Sequence, residues 1–590
     1  MTTDEKNLFQ AQTLIEEFRR HGVTRFVVCP GSRSSPLALA MAMADNVEGV
    51  VHHDERGAGY YAVGYARATG RAAAVVTTSG TAAVNLHPAI VEASHDNLPL
   101  IALTADRPPE LHGRGANQTI EQRNLFSDRA RFVADLPCPD ECNPAELLGA
   151  IDQSCRHIST RWASPGPVHL NCRYSEALVP PPDRLTPYRQ IVERIYPELK
   201  PWADSASPFR IDPAPTAEPE VAVVDETAHT IRDARCGLLL VGHLGSETEQ
   251  QAVLDLIGKL GWPVIADITS GLCAAQQTLL VRHADPILAS EKFAGGQPPD
   301  TVLHVGGRLT SKRLLQFIEK SSSTNYLFNA GAGIVYDPVG AVTQRTEYNT
   351  VAFCRALTEQ LTGGKQNQVW NDIWRSATRK SAQIVADMCG EMKRLTEPVL
   401  AYSLSRMLPD QPGLFLASSM PIRDMDMFAT LQRALRVAAN RGASGIDGTI
   451  ASACGYAEGL GLPVTLLIGD QAFLHDLSSL PLLASTRRPV TLVVVNNWGG
   501  RIFEQLPVAA HREALDRYFV AAHELTFEKI AETFGLEYTR VTDRDFFSQA
   551  YANASDSGRS AIVEASVDPA ASREHRSSII NEVRAALDSQ

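Results

Sequence analysis

LLIGDQAFLHDLSSLPLLASTRRPVTLVVVNNWGG, residues 466–500, holds two apolar runs that each end in ligand-type residues. The first run ends in Gly469-Asp470, a helix-like segment follows, and the second run ends in Asn496-Asn497 with Gly499 two residues on. In a parallel sheet the carboxyl ends of such strands face the ligand crevice, so Asp470 and Asn497 converge although they lie far apart in sequence. One carboxylate, one amide and one backbone carbonyl, that of Gly499, form an oxygen-only set. Such a set suits a hard divalent ion that keeps a water and takes its remaining ligands from phosphate oxygens. That describes a magnesium-diphosphate clamp. The alternative is a Gly-Asp turn and an unrelated Asn-Asn turn, because both residue types are common after strands.

Outward from this stretch, short Val/Ile/Leu runs alternate with longer helical patterns, the signature of doubly wound parallel α/β domains. The first set is Arg25–Cys29, Val50–His53, Ala73–Thr78, Pro99–Thr104 and Pro167–Asn171. From Leu178 to Glu220 Pro, Ser, Asp and Ala accumulate without apolar periodicity, which predicts a connection. A second set follows at Gly237–Val241, Pro263–Asp267 and Thr301–Val305, and a polar stretch at Thr362–Gln368 marks the next boundary. The third set is Gly413–Ala417, Val437–Ala439, Val464–Ile468, Val490–Val495 and Ala561–Ala565. Three α/β domains fit 590 residues: 1–196, a linker at 197–219, 220–365 and 366–590. No fixed-period repeat is visible, and whether the outer domains are structural cousins is not legible in one sequence.

Hydrophobic residues at 44% and charged residues at 21% describe a folded globular chain rather than a disordered one. A net charge of −12 argues against a broad nucleic-acid or anionic-membrane surface, so an anionic ligand must meet a local basic cluster. Ten cysteines without a disulfide framework fit a reducing, cytoplasmic setting, and the Cys138/Cys142 pair reads as ordinary part-buried thiols. The acidic, amphipathic N-terminus reads as a first helix, and no apolar run reaches the ~18 residues of a membrane span.

The Asp470–Asn497 pattern resembles that of the thiamine diphosphate enzymes, although Gln471 stands where most of them have a second Gly. Five segments narrow the resemblance to one branch: CPGSRSSPLALA (29–40), TTSGTAAVNLHPAIVEASHDNLPLIALTADRPPELHGRGANQTI (77–120), LTSKRLLQ (309–316), SSMPIRDMD (418–426) and ANRGASGIDGTI (439–450). That branch decarboxylates 2-oxoglutarate and adds the resulting succinyl unit to isochorismate in menaquinone biosynthesis. The resemblance implies thiamine diphosphate with Mg²⁺ or Mn²⁺. It also implies a pyrimidine-binding first domain, a diphosphate-binding last domain, and a homodimer or homotetramer whose sites form between subunits.

The resemblance makes Glu55, which opens a Gly/Ala/Tyr-rich helix, the acid that hydrogen-bonds the aminopyrimidine ring. Without it, Glu55 reads as a first-turn acid placed for the helix dipole. His52 and His53 read as strand-end structural residues. The two substrates bring four carboxylates, and guanidinium forks suit them. The matched segments supply Ser32, Arg33, Arg107, Asn117, Gln118, Lys312, Arg313, Ser419, Arg423 and Arg441. Each taken singly reads as a solvated surface group, but their loops follow strands, where sites are built. Gly80, Ser419, Gly445, Gln471 and Ala472 are implied to line the cofactor with Asp470 and Asn497. Ile446 is implied to wedge beneath it, bringing its two rings together; the alternative is a core Ile.

Gly242 and Gly245 follow a strand but lack the third Gly and the ribose-binding acid of a dinucleotide fingerprint. Lys365 lacks the P-loop context. The competing functions are another thiamine diphosphate-dependent 2-oxo acid decarboxylase or carboligase, a non-catalytic binder of the same fold, and a generic nucleotide-binding α/β protein.

Overall fold

The structure, a computed structural model, describes residues 1–589 apart from 160–164, 212–217, 273–278, 297, 322–323, 332–335, 362–366 and 411–412. The polar boundary expected at Thr362–Gln368, with Lys365, lies mostly outside the described residues. The chain forms two compact units. One comprises Met1–Pro215, Gly442–Gly461 and Asp476–Ser485; the other comprises Thr216–Arg441, Leu462–His475 and Thr486–Gln590.

The first unit is built on a six-stranded sheet of β1 (Arg25–Val28), β2 (Glu48–Val51), β3 (Ala73–Thr77), β4 (Leu100–Asp106), β5 (Phe132–Leu136) and β6 (Pro167–Arg173), in the order β2-β1-β3-β4-β6-β5. Every pairing is parallel. The N-terminal helix Thr3–Arg20 covers it, with Leu8, Leu14, Ile15 and Phe18 turned into the core. Helix Glu55–Thr69 packs on helix Thr449–Leu460 backbone to backbone. A Cβ on Gly64 would lie 1.9 Å from the Ser452 carbonyl oxygen, and one on Gly455 2.0 Å from that of Tyr61. The Gly/Ala content of both helices therefore serves close approach.

The second unit carries two sheets. β7 (Gly237–Val241), β8 (Val264–Ala266), β9 (Thr301–Val305), β10 (Asn325–Asn329) and β11 (Gln344–Thr346) run in the order β11-β10-β9-β7-β8, all parallel. In GLLLV, Leu239 and Val241 enter one core with Phe353 and Leu357, while Leu238 and Leu240 enter the opposite one with Phe317 and Trp374. A strand covered on both faces has no alternation, which is why it reads as an unbroken apolar run. The last sheet is β12 (Gly413–Leu416), β13 (Arg436–Ala438), β14 (Val464–Gly469), β15 (Val490–Asn496), β16 (Glu537–Val541) and β17 (Ala561–Ser566), again all parallel. Its order, β13-β12-β14-β15-β17-β16, repeats that of the first sheet strand for strand. The outer domains share one topology.

Several readings change. β5, β10, β11 and β16 lie in stretches where no strand was expected, and three of them are sheet edges. Leu178–Glu220, read as a connection, is folded over much of its length. Helices Tyr188–Ile195 and Lys200–Asp204 bury Ile191, Val192 and Trp202 against Phe9 and Leu148, and Trp202 Nε1 donates to Glu17 at 2.6 Å. The described cysteines are all free thiols, and burial pushes Cys138 and Cys142 upward in pKa. Gly242 has a packing reason: a Cβ there would lie 1.9 Å from the Gly307 carbonyl oxygen. No described helix is long and apolar enough to cross a membrane.

Candidate active site

The strand orders put a switch point between β1 and β3, and another between β12 and β14, where successive connections leave in opposite directions. Ligands bind outside the carboxyl ends of strands at such points. Ser32 and Arg33 follow β1, Gly80 follows β3, Ser419 follows β12 and Asp470 follows β14. Glu55, Arg107, Arg441 and Asn497 follow β2, β4, β13 and β15.

In the second unit Asp470, 2% exposed, opens helix Asp470–His475. Its Oδ1 accepts from the Gln471 backbone N–H at 2.6 Å, and its Oδ2 from that of Gly499 at 2.8 Å. His523 Nε2 lies 3.2 Å from Oδ2 and borders an open cleft of about 960 Å³ lined also by Trp498, Arg501 and Arg540. Burial raises the Asp470 pKa, the mark of a carboxylate that gains from a nearby cation. Gly499 has φ +137°, and a Cβ would meet the Val520 carbonyl oxygen at 2.5 Å, so only glycine fits. Gln471 occupies an ordinary helical position with negative φ, so no second glycine is needed there. Ala472 is buried on the next turn position. Asn497 is buried, and its Nδ2 donates to Glu397 Oε1. Asp470 and Asn497 thus follow the adjacent strands β14 and β15, with Gly499 joined to Asp470 through its N–H and its carbonyl accepting from the Arg501 N–H at 2.9 Å, and the oxygen-only chemistry of this set fits a divalent cation.

Ser419 has φ +74° and passes its carbonyl to Arg423. Burial lowers the Arg423 pKa, and the charge of Arg441 lowers it further while that of Asp424 opposes the shift. Two arginine charges near one another invite an anion. Lys312 and Arg313 open helix Lys312–Lys320 after β9. Arg313 is paired with Asp285, which also accepts from Ser311 Oγ at 2.6 Å, so its fork is engaged within the protein; Lys312 is exposed. Asp285, Asp267 and Asp426 border a cavity of about 30 Å³. Asp426 shares a helix with Arg423 and accepts from the Ile268 N–H, joining the middle sheet's loop to the last sheet's helix.

In the first unit Glu55 is the first residue of helix Glu55–Thr69, capped by Asp54, whose Oδ1 accepts from Arg56 and Gly57 N–H groups. His52 is buried against Gly57, and burial followed by the neighbouring His53 pushes its pKa down to about 4; it is a neutral packing residue, while His53 is exposed. Arg33, 4% exposed, donates to the Tyr174 carbonyl and pairs with Glu176, both at 2.9 Å or less. Burial, then the charge of Arg107, lowers its pKa, while Glu176 opposes the shift. Ser32 is exposed and turns its carbonyl to Ser35. Gly80, at φ +81°, lies against Gln118, itself at φ +52°; Gln118 and Asn117 are exposed. Gly445 and Ile446 are half-buried beside Asp447, which accepts from Tyr60 Oη at 2.8 Å, and Glu92 accepts from the N–H groups of Gly442 and Ala443.

Sequence reasoning missed the supports. Gln122 accepts from Gly80 N–H at 2.8 Å and donates to Asn171, which donates to Asp106 beside Arg107. Glu397, Asp424 and Arg576 form a buried network behind Asn497 and Arg423. Asp424 and Asp106 gave a signal only through their adjacency to Arg423 and Arg107; Gln122, Asn171, Glu397 and Arg576 lie in no motif.

The chain matches three family descriptions in order. They are the N-terminal thiamine pyrophosphate binding domain of thiamine pyrophosphate enzymes over residues 10–125, the middle domain over 194–416 and the C-terminal binding domain over 425–565. It is 42% identical to the 2-succinyl-5-enolpyruvyl-6-hydroxy-3-cyclohexene-1-carboxylate synthase of Salinibacter ruber, covering 95% of this chain and 94% of that one. It is 40% identical to the synthase of the same name from Rubrobacter xylanophilus, covering 96% of each. Protein PHYLLO, chloroplastic, of Arabidopsis thaliana is 36% identical over 91% of this chain and 33% of its own length. Near-complete coverage at this identity, on three parallel-sheet domains in the right order, means that the chain belongs to the 2-succinyl-5-enolpyruvyl-6-hydroxy-3-cyclohexene-1-carboxylate synthase family of thiamine pyrophosphate enzymes.

Proposed function

We propose that this enzyme decarboxylates 2-oxoglutarate and adds the four-carbon remainder to the ring alkene of isochorismate, giving the product named in its relatives' title and carbon dioxide. When bound, thiamine diphosphate supplies the nucleophilic carbon and the electron sink. The observation that carries this reading is the placement of Arg33 and Arg107 past β1 and β4, and of Arg423 and Arg441 past β12 and β13, at the carboxyl ends of strands in the two outer sheets. Pyruvate-like acids need no such doubling; two dicarboxylates do.

Asp470, the Oδ1 of Asn497 and the Gly499 carbonyl hold Mg²⁺ or Mn²⁺, with Gln471 and Ala472 beside the diphosphate. Glu55 holds a proton at its carboxyl for the aminopyrimidine ring. Gly80 and Gly445 would let backbone approach the cofactor, and Ile446 would give it an apolar support. Arg33, Arg107, Arg423 and Arg441 clamp carboxylates and stabilise charge that develops on them. Ser32, Asn117, Gln118 and Ser419 add hydrogen bonds, and Lys312 and Arg313 contribute from the central domain. In this reading residues 1–196 bind the pyrimidine, 366–590 the diphosphate, and 220–365 form the central domain. We place the enzyme in the cytoplasm as a homodimer or homotetramer with sites completed by a second subunit.

The test is isochorismate consumption by purified protein with thiamine diphosphate, Mg²⁺ and 2-oxoglutarate, repeated with each omitted. Consumption that requires all of them supports the reading. Release of carbon dioxide from pyruvate with isochorismate untouched overturns the substrate assignment and leaves the cofactor assignment standing.

A further inference from the structure

We propose that Glu397 is a positioning residue that decides which atom of Asn497 is offered to the divalent cation; this rests on reading Asp470, Asn497 and Gly499 as that cation's ligands. Glu397 opens helix Glu397–Met407 and is 6% exposed. Both of its carboxylate oxygens are engaged: Oε1 accepts from Asn497 Nδ2, and Oε2 accepts from Arg576. Arg576 is itself buried and clamped from the other side by Asp424, with both hydrogen bonds at 2.8 Å.

A carboxylate has acceptors only, so the amide facing it must present its N–H₂. The fixed guanidinium of Arg576 holds Glu397 in place. With Nδ2 committed, Oδ1 of Asn497, which accepts no hydrogen bond among the described residues, is the atom left to ligate. A carboxamide without this clamp turns over at little cost and then aims N–H at a cation, which repels it. Because Asp424 neighbours Arg423 on helix Met420–Phe428, the same three charges also tie the metal ligand to the arginine pair.

The inference makes a reciprocal prediction. In Glu397→Gln the new amide oxygen still accepts from Arg576, so its N–H₂ faces residue 497. Asn497 must then answer with Oδ1, withdrawing it from the cation. An aspartate at 497 has two oxygens and serves both partners. Binding of Mn²⁺ to cofactor-stripped protein in the presence of thiamine diphosphate, followed by the electron paramagnetic resonance signal of free Mn²⁺, should weaken about tenfold or more in Glu397→Gln, as supporting-residue changes do at other metal sites. Adding Asn497→Asp to Glu397→Gln should restore most of it. Asn497→Asp alone should weaken binding, because two carboxylates then face each other, although aspartate is at least as good a ligand.

Glu397→Gln within about twofold of the parent, or a double variant no tighter than Glu397→Gln, overturns the proposal. If Glu397→Gln fails to fold, Asn497→Asp alone decides: binding equal to or tighter than the parent overturns it. Asp470→Ala distinguishes the underlying reading, for parent-like Mn²⁺ affinity in that variant shows that the cation sits elsewhere.

Discussion

Arg423 shows how a residue that looks like any surface charge in sequence becomes a committed one in the fold. It donates to the Ser419 carbonyl, and Arg441 stands close enough to depress its pKa. Two like charges near one another gain when a substrate carboxylate binds to them. Lysine keeps the charge but loses the fork, and a charge-assisted hydrogen bond is worth about 1.5–3 kcal/mol. Arg423→Lys should therefore raise the KM of the carboxylate it grips by about tenfold or more. Steady-state kinetics with 2-oxoglutarate and isochorismate varied in turn identifies which one. An unchanged KM for both would remove Arg423 from the binding set. Arg313 differs, since Asp285 already occupies its fork, so the short LTSKRLLQ segment points to a residue whose first partner is the protein.

Among the elements, the edges β2, β8 and β13 were legible along with most inner strands, whereas the edges β5, β11 and β16 and the inner strand β10 were not. β14 and β15 are buried on both faces and need apolar side chains throughout, so VTLLIG and VTLVVVN announce themselves. β16, EYTRV, lies at an edge and exposes much of its length, so its composition resembles a loop's. The site divides the same way. Asp470 and Asn497 end central strands and were readable from spacing, whereas Glu397 stands 100 positions from Asn497 and Arg576 a further 179 from Glu397, with no motif joining them. Helix packing offers a direct check. A methyl group at Gly64 meets the Ser452 carbonyl, so Gly64→Ala should destabilise the first unit by about 1–3 kcal/mol despite alanine's better helix propensity. A lowered urea midpoint is expected; an unchanged or raised one would mean that the helices separate freely. The N-terminal helix carries a pH-sensitive clasp. Burial opposes charge on His21, but the hydrogen bonds it donates to Asp152 and Glu17 outweigh that and push its pKa up to about 9. A raised folded pKa contributes stability that is complete below the ordinary 6.5 and lost as pH rises through about 9. The melting temperature should fall across that window, and His21→Gln should flatten the slope.

At the scale of the whole molecule, one strand order appears twice, and in both sheets the ligand-type residues stand at the carboxyl ends flanking the switch point. Asp470 and Ser419 occupy in the last sheet the positions that Gly80 and the Ser32–Arg33 loop occupy in the first. On the function proposed above, one of the two repeated edges takes the phosphate and cation and the other takes the ring. The carboxylate end is also where the folded state bears a cost, since Asp470 is buried with its pKa raised and lies against the His523 imidazole. Bound cation relieves that cost only in the folded chain, so stability must be linked to ligand. With Mg²⁺ and thiamine diphosphate at about a hundred times their dissociation constant, the gain should be about 2.7 kcal/mol. Chelation of the metal should reverse it. Urea unfolding followed by intrinsic fluorescence, with and without the pair of ligands, measures the gain directly. In Asp470→Ala the ligand-dependent part should vanish while the ligand-free protein becomes no less stable, because a buried carboxylate without its cation has been removed. A variant that keeps the full ligand-dependent gain would show that the cation does not rely on the carboxyl end of β14.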